Sequence, residues 1–142
     1  KDFFVDEYQF ELARSIGADA VLLIAALLGP RLPEMHHAAK SLGLSVLIEV
    51  HNEAEAIAAQ AAGGALIGVN SRDLKSLKVN LDVARRLAPL VCRSGVTPVA
   101  ESGLRSRSDL DSLSPLGYKG FLIGSALMKA PDPGSALKAF LS

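Results

Sequence analysis

The chain has 142 residues, 49% of them hydrophobic, and its 15 Lys and Arg are balanced by 15 Asp and Glu. This is the length of one domain, residues 1–142, able to bury about two-thirds of its unfolded surface, and zero net charge gives no long-range attraction for nucleic acid or an anionic membrane. The longest uncharged apolar stretch, residues 20–30, spans 11 residues against the roughly 20 of a membrane-spanning helix, so a soluble protein is expected.

In chain order, the opening Lys1-Asp2-Phe3-Phe4 has no initiator Met and no cleavable apolar signal, and reads as a cut rather than a gene start. Residues 6–16 follow a helical pattern, with Phe10, Ala13 and Ile16 on one face. β-like runs then recur at residues 20–25, 45–50, 65–69, 96–100 and 119–124. They are mostly continuously apolar, the pattern of parallel strands covered on both faces.

Helical patterns separate the runs, residues 52–62 among them, and Gly17, Gly43, Gly63 and Gly117 fall just after such patterns, where positive φ turns the chain into the next strand. Helix starts are marked by Asn52 with Glu55, Ser106 with Asp109, and Asp132-Pro133. Strand starts about 20 to 31 residues apart suit right-handed βαβ units. Both an open doubly wound sheet and part of a barrel have this periodicity. The strand ends favour the barrel. Glu49 and His51, Asn70 and Arg72, Glu101 and Ser102, then Gly124 and Ser125 follow successive strands, and a (β/α) barrel assembles its site on that rim.

Glu49 interrupts an apolar strand, where burial is costly without a partner or ligand and raises a carboxylate's pKa toward that of a general base or acid. A structural ion pair with a neighbouring strand is the equally weighted alternative. Glu101-Ser102-Gly103 and Gly124-Ser125-Ala126 are small-residue turns after adjacent strands, suited to an anion through free N–H groups and a hydroxyl. Either alone is ordinary turn chemistry; together they indicate a phosphate site. Residues 70–74, Asn-Ser-Arg-Asp-Leu, place an amide and a guanidinium at the rim, or form an Asx-type turn with a surface Arg. His36 and His37 read as surface helix residues, and lone Cys92 as a buried small hydrophobe in a reducing, cytoplasmic compartment. The sequence has no cofactor fingerprint, metal triad or nucleophile elbow.

Lys1-Asp2-Phe3 with residues 5–9, residues 18–24, residues 47–51 (Leu-Ile-Glu-Val-His), residues 67–74, residues 101–103 and residues 122–125 resemble, in order and spacing, the indole-3-glycerol-phosphate synthase family. The resemblance covers essentially the whole chain. It implies a parallel TIM-type (β/α) barrel, N-terminally incomplete, with five to six of eight units. It also implies a lyase of tryptophan biosynthesis, without metal or cofactor, that closes the indole ring of 1-(2-carboxyphenylamino)-1-deoxyribulose 5-phosphate with loss of carbon dioxide and water. By the same resemblance Lys1 is the general acid and Glu49 the catalytic carboxylate. Asn70 and Glu101 orient substrate, Arg72 and Ser102 support the rim, and Gly103, Gly124 and Ser125 cradle phosphate. A further Glu and Lys of the family's first strand are absent from this sequence.

Two functions follow as expectations. The first is an active synthase completed by a separate N-terminal barrel segment. The second is a catalytically dead partial barrel that keeps a phosphate site and, with unpaired strand edges, self-associates as a homodimer or larger. Another phosphosugar barrel is disfavoured by Glu49 and residues 70–74 together.

Overall fold

The computed structural model describes residues 2–142; Lys1 lies outside the described residues. Five strands, β1 (Ala20–Ile24), β2 (Ser45–Val50), β3 (Leu66–Asn70), β4 (Thr97–Glu101) and β5 (Gly120–Leu122), form one parallel sheet in the order β1-β2-β3-β4-β5. Each lies within a run expected from the sequence, to within a residue or two at its ends. The helices are α1 (Tyr8–Ser15), α2 (Ala25–Leu28), α3 (Leu32–Ser41), α4 (Glu53–Ala61), α5 (Asp82–Val91), α6 (Arg107–Leu113), α7 (Ser125–Met128) and α8 (Pro133–Leu141), with 3-10 turns at Gly29–Arg31 and Ser114–Leu116.

The core lies between one face of the sheet and the helices. Leu23, Ile48, Val50, Ile67 and Val69 project from the strands with no exposed surface, and Phe10, Met35, Ala59, Leu87 and Leu113 meet them from the helices. Each large apolar side chain so enclosed contributes about 1.5–3 kcal/mol. α5 illustrates the pattern, because Ala84, Leu87, Ala88 and Val91 have helical spacing along one side and all are buried.

The opposite face is covered only in part: Leu22, Ile24, Glu49 and Glu101 are buried there, Leu47, Leu66 and Val99 are half-buried, and Leu122 is 43% exposed. The runs are continuously apolar because this face is also apolar, and its Leu22, Ile24 and Leu122 line a cavity.

The residues expected to start and stop helices do so. Asn52 caps α4 by accepting from the Glu55 N–H at 2.9 Å, and Asp132 caps α8 by accepting from the Gly134 and Ser135 N–H groups. At α6 the Asp109 carboxylate takes the Arg105 and Ser106 N–H groups at 2.8 and 3.0 Å. Loss of the α4 cap in Asn52→Ala is expected to cost about 0.5–2 kcal/mol of unfolding free energy, measurable by urea titration. Cys92 is half-buried, not buried, and burial raises its thiol pKa. His37 is exposed on α3, whereas His36 is half-buried and its pKa is lowered by burial, then by Lys40 and His37. No helix among the described residues is long and apolar enough to cross a membrane.

Candidate active site

Strand register decides which side chains meet. Ile24, Glu49, Gly68, Val99 and Gly120 are successive partners across the sheet, and Asn70, Glu101 and Leu122 form the next row on the same face. Glu49 and Glu101 are 1% and 2% exposed, so two carboxylates sit at the buried C-terminal rim. Asn70 Nδ2 donates to Glu49 Oε1 at 2.9 Å. This bond, not an ion pair with an Arg or Lys of the next strand, is what β3 gives Glu49.

Glu101 depends on a glycine. A Cβ at Gly68 would lie 2.9 Å from Glu101 Cδ and overlap its Oε1, so the carboxylate occupies the space a β3 side chain would fill. Immediately after, Ser102 adopts φ 63°, a left-handed conformation that non-glycine residues rarely hold and that costs about 1–3 kcal/mol.

Residues 71–81 fold back as a small antiparallel loop, with Arg72 bridged to Val79 and the Asp73 N–H donating to Lys78 O at 2.9 Å. The Arg72 N–H donates to Asn70 Oδ1 at 2.9 Å, so the Asx-type turn is present, and Arg72 Nη1 reaches Leu77 O at 3.1 Å. Arg72 also lines the cavity, so the turn and the rim position coexist. Gly103 receives this loop: a Cβ there would collide with Val79 and come within 3.3 Å of Leu81. Gly124 has no such steric duty, since a Cβ would meet nothing within 4 Å.

One cavity of about 610 Å³ is lined by Glu49, Asn70, Arg72, Glu101, Ser102, Gly103, Gly124 and Ser125 together. Every sequence-selected site residue among those described therefore converges on it. Phe3, Leu74 and Leu104 supply apolar wall; Phe3 and Leu74 belong to the motifs quoted above but were given no role, and Leu104 was not singled out.

His51 was noted at the rim, but its partners were not. Its Nδ1 is 3.1 Å from Glu55 Oε2 and its Nε2 is 3.4 Å from Glu49 Oε1. The i,i+4 spacing of His51 and Glu55 was the available signal. Burial alone would lower the imidazole pKa; the Glu49 and Glu55 carboxylates beside the ring outweigh it and raise the value above 6.5. Since the folded value exceeds the unfolded one, this cluster stabilises the fold fully below about pH 6.5 and loses that contribution as pH rises through the folded value. Among the described residues no group of three or more His, Cys, Asp or Glu is arranged to hold a metal ion.

Against solved structures, the chain is similar to 3-hexulose-6-phosphate synthase from Salmonella typhimurium, with TM-score 0.79 and 18% identity over 99% of this chain and 68% of that one. It is also similar to thiamine phosphate pyrophosphorylase from Pyrococcus furiosus, with TM-score 0.70 and 22% identity over 93% of this chain and 62% of that one. At these identities the likeness establishes the fold alone, which is of the TIM-barrel type and incomplete in this chain. Sequence relatives are much nearer. An indole-3-glycerol phosphate synthase from Carboxydothermus hydrogenoformans is 48% identical over 100% of this chain and 54% of the relative, and one from Laribacter hongkongensis is 43% identical over 96% and 52%. The chain thus spans about half the length of the curated relatives it matches. The family model described as indole-3-glycerol phosphate synthase matches residues 1–140, and the chain belongs to that family.

Proposed function

We propose that this chain carries the C-terminal part of an indole-3-glycerol-phosphate synthase active site, which closes the indole ring of 1-(2-carboxyphenylamino)-1-deoxyribulose 5-phosphate with loss of carbon dioxide and water. The observation that carries this reading is the convergence of Glu49, Asn70, Arg72, Glu101 and the two Gly-Ser turns on one cavity. Ring closure with dehydration needs two protons delivered to the ketone oxygen, which leaves as water, and one removed from the new five-membered ring, while loss of carbon dioxide restores the aromatic one. Lys1, outside the described residues, is assigned the first duty by family resemblance, and Glu49 is the catalytic carboxylate. Asn70 and Glu101 orient the substrate, while Arg72 and Ser102 brace the rim around it. Ser102, Gly103, Gly124 and Ser125 follow the last two strands, where barrels of this type hold phosphate. Phe3, Leu74 and Leu122 give an apolar wall suited to an aromatic ring. A reducing compartment, the cytoplasm, fits the lone Cys92.

The test is complementation. The chain is mixed with, or fused to, the N-terminal part of the Carboxydothermus relative that it does not align with, and formation of indole-3-glycerol phosphate is followed by indole absorbance. Turnover in the assembled protein, with little or none from the chain alone, is the expected result. Absence of turnover in both mixture and fusion, with binding of the substrate also absent, removes the reading.

A second reading is favoured by the sheet edges and the half-open face. Among the described residues β1 pairs only with β2 and β5 only with β4, and Leu122 and Met128 are 43% and 78% exposed. These features suit a chain that self-associates and binds phosphate without turnover. Light scattering that finds a folded monomer at micromolar concentration counts against it.

A further inference from the structure

His51 does not line the cavity, yet it is held against the back of the residue to which the reaction is assigned. Both Asn70 Nδ2 and His51 Nε2 approach the same oxygen of Glu49, Oε1, at 2.9 and 3.4 Å. On its other side the imidazole is fixed from α4. Glu55 Oε2 is 3.1 Å from His51 Nδ1 and also accepts the His51 backbone N–H at 2.8 Å. Glu55 is itself immobilised, because its Oε1 accepts from Asn52 Nδ2 at 2.6 Å and its N–H donates to Asn52 Oδ1 at 2.9 Å. An N-cap is thereby linked through Glu55 and His51 to the buried carboxylate of the cavity.

An ionised carboxylate only accepts, so the contact with Glu55 Oε2 calls for a proton on Nδ1. Nε2 makes no hydrogen bond of normal geometry, and its 3.4 Å approach to Glu49 Oε1 is a charge contact that favours the second proton. The charged groups that bear on the imidazole are Glu49 from β2 and Glu55 from α4. α2, packed on both, carries only Ala25, Ala26, Leu27 and Leu28, and β3 presents the uncharged Asn70. The N-terminus of α4 opposes a cation, but two nearby carboxylates outweigh it.

We propose that His51, clamped by Glu55, is a positioning residue for Glu49: its imidazole is protonated on both nitrogens and directs the Nε2 proton at Glu49 Oε1, holding that carboxylate oriented toward the cavity. The proposal rests on Glu49 acting in the reaction proposed above. It adds a residue that touches no substrate and works through another.

Two measurements separate this proposal from that reading. In the first, the chain labelled with 15N-histidine is titrated by NMR, alone and as Glu49→Gln and Glu55→Gln. The His51 midpoint is expected above 6.5, with both ring nitrogens protonated below it, and each variant is expected to lower that midpoint. A His51 resonance that titrates at or below the ordinary value, or one that Glu49→Gln leaves in place, overturns the proposal whatever the activity.

In the second, His51→Gln is compared with the parent in the assembled enzyme. kcat is expected to fall by about tenfold to a hundredfold, with KM little changed. The acid limb of the kcat profile is expected to move to higher pH, because a carboxylate that has lost a neighbouring cation is more easily protonated. Superimposable profiles would remove the role, and a purely structural part for His51 would lower the folded fraction without moving the limb. If the assembled parent has no activity, the synthase reading fails and the NMR titration still decides whether His51 holds Glu49.

Discussion

Glu49→Gln is expected to reduce turnover of the assembled protein by about 10²- to 10⁴-fold, the usual worth of a positioned acid or base. Glutamine keeps the shape of the side chain and an oxygen able to accept from Asn70 Nδ2, so it removes the charge and the exchangeable proton with little change in packing. Substrate affinity should change much less than kcat, since Asn70, Arg72 and the two Gly-Ser turns still face the same cavity. Steady-state kinetics with the complemented parent as reference measures both. A variant retaining turnover within about threefold of the parent would mean that Glu49 takes no part in proton transfer.

Gly68→Ala tests the second carboxylate from beneath. The new methyl group would occupy the position of Glu101 Oε1 and lie 3.2 Å from Leu47 Cδ1, but no backbone atom stands in its way. The sheet should therefore survive while the Glu101 side chain is driven out of place, at a cost of about 1–3 kcal/mol for the overpacking. In a Glu101→Ala background the space is vacant and the same substitution should cost little. Urea unfolding of the four proteins forms a double-mutant cycle, with an expected coupling above about 1 kcal/mol. Equal costs in both backgrounds would show that Glu101 does not rest on Gly68. In the assembled enzyme, a displacement of about 1 Å at Glu101 is enough to reduce turnover on the order of 10²-fold.

The contrast between these two residues shows what a sequence can reveal about such a site. Glu49 was conspicuous because a carboxylate stands out in Val-Leu-Ile-Glu-Val, and its burial follows from the apolar residues around it. Gly68 was not, because its role exists only through the pairing that sets Gly68 beside Val99 and brings Glu101 over it. Register is a relation between strands 31 positions apart in the chain, Leu66 pairing with Thr97, and no local pattern encodes it. The strands and the glycine turns at Gly17, Gly43, Gly63 and Gly117 were legible for the opposite reason: apolar runs and positive φ are local requirements, and all four glycines do have positive φ. The helices differ in the same way. α4 and α8 announce themselves by Asn52 and Asp132, whereas the four-residue α2 directly continues β1 with no cap side chain and little amphipathic pattern. The expectation of covered faces held only in part, because a strand facing a cavity and a strand facing a helix can be equally apolar.

The strand order has a kinetic meaning. Strands beginning at residues 20, 45, 66, 97 and 120 each pair with the next one in the chain, so no pairing needs to close a loop of more than about 30 residues. Closure entropy rises only slowly with such lengths, and contacts of this range keep the folding barrier below that of a sheet assembled from distant segments. A nascent chain leaving the ribosome can accordingly add one strand and its helix at a time to those already placed, each new unit covering the edge left by the last.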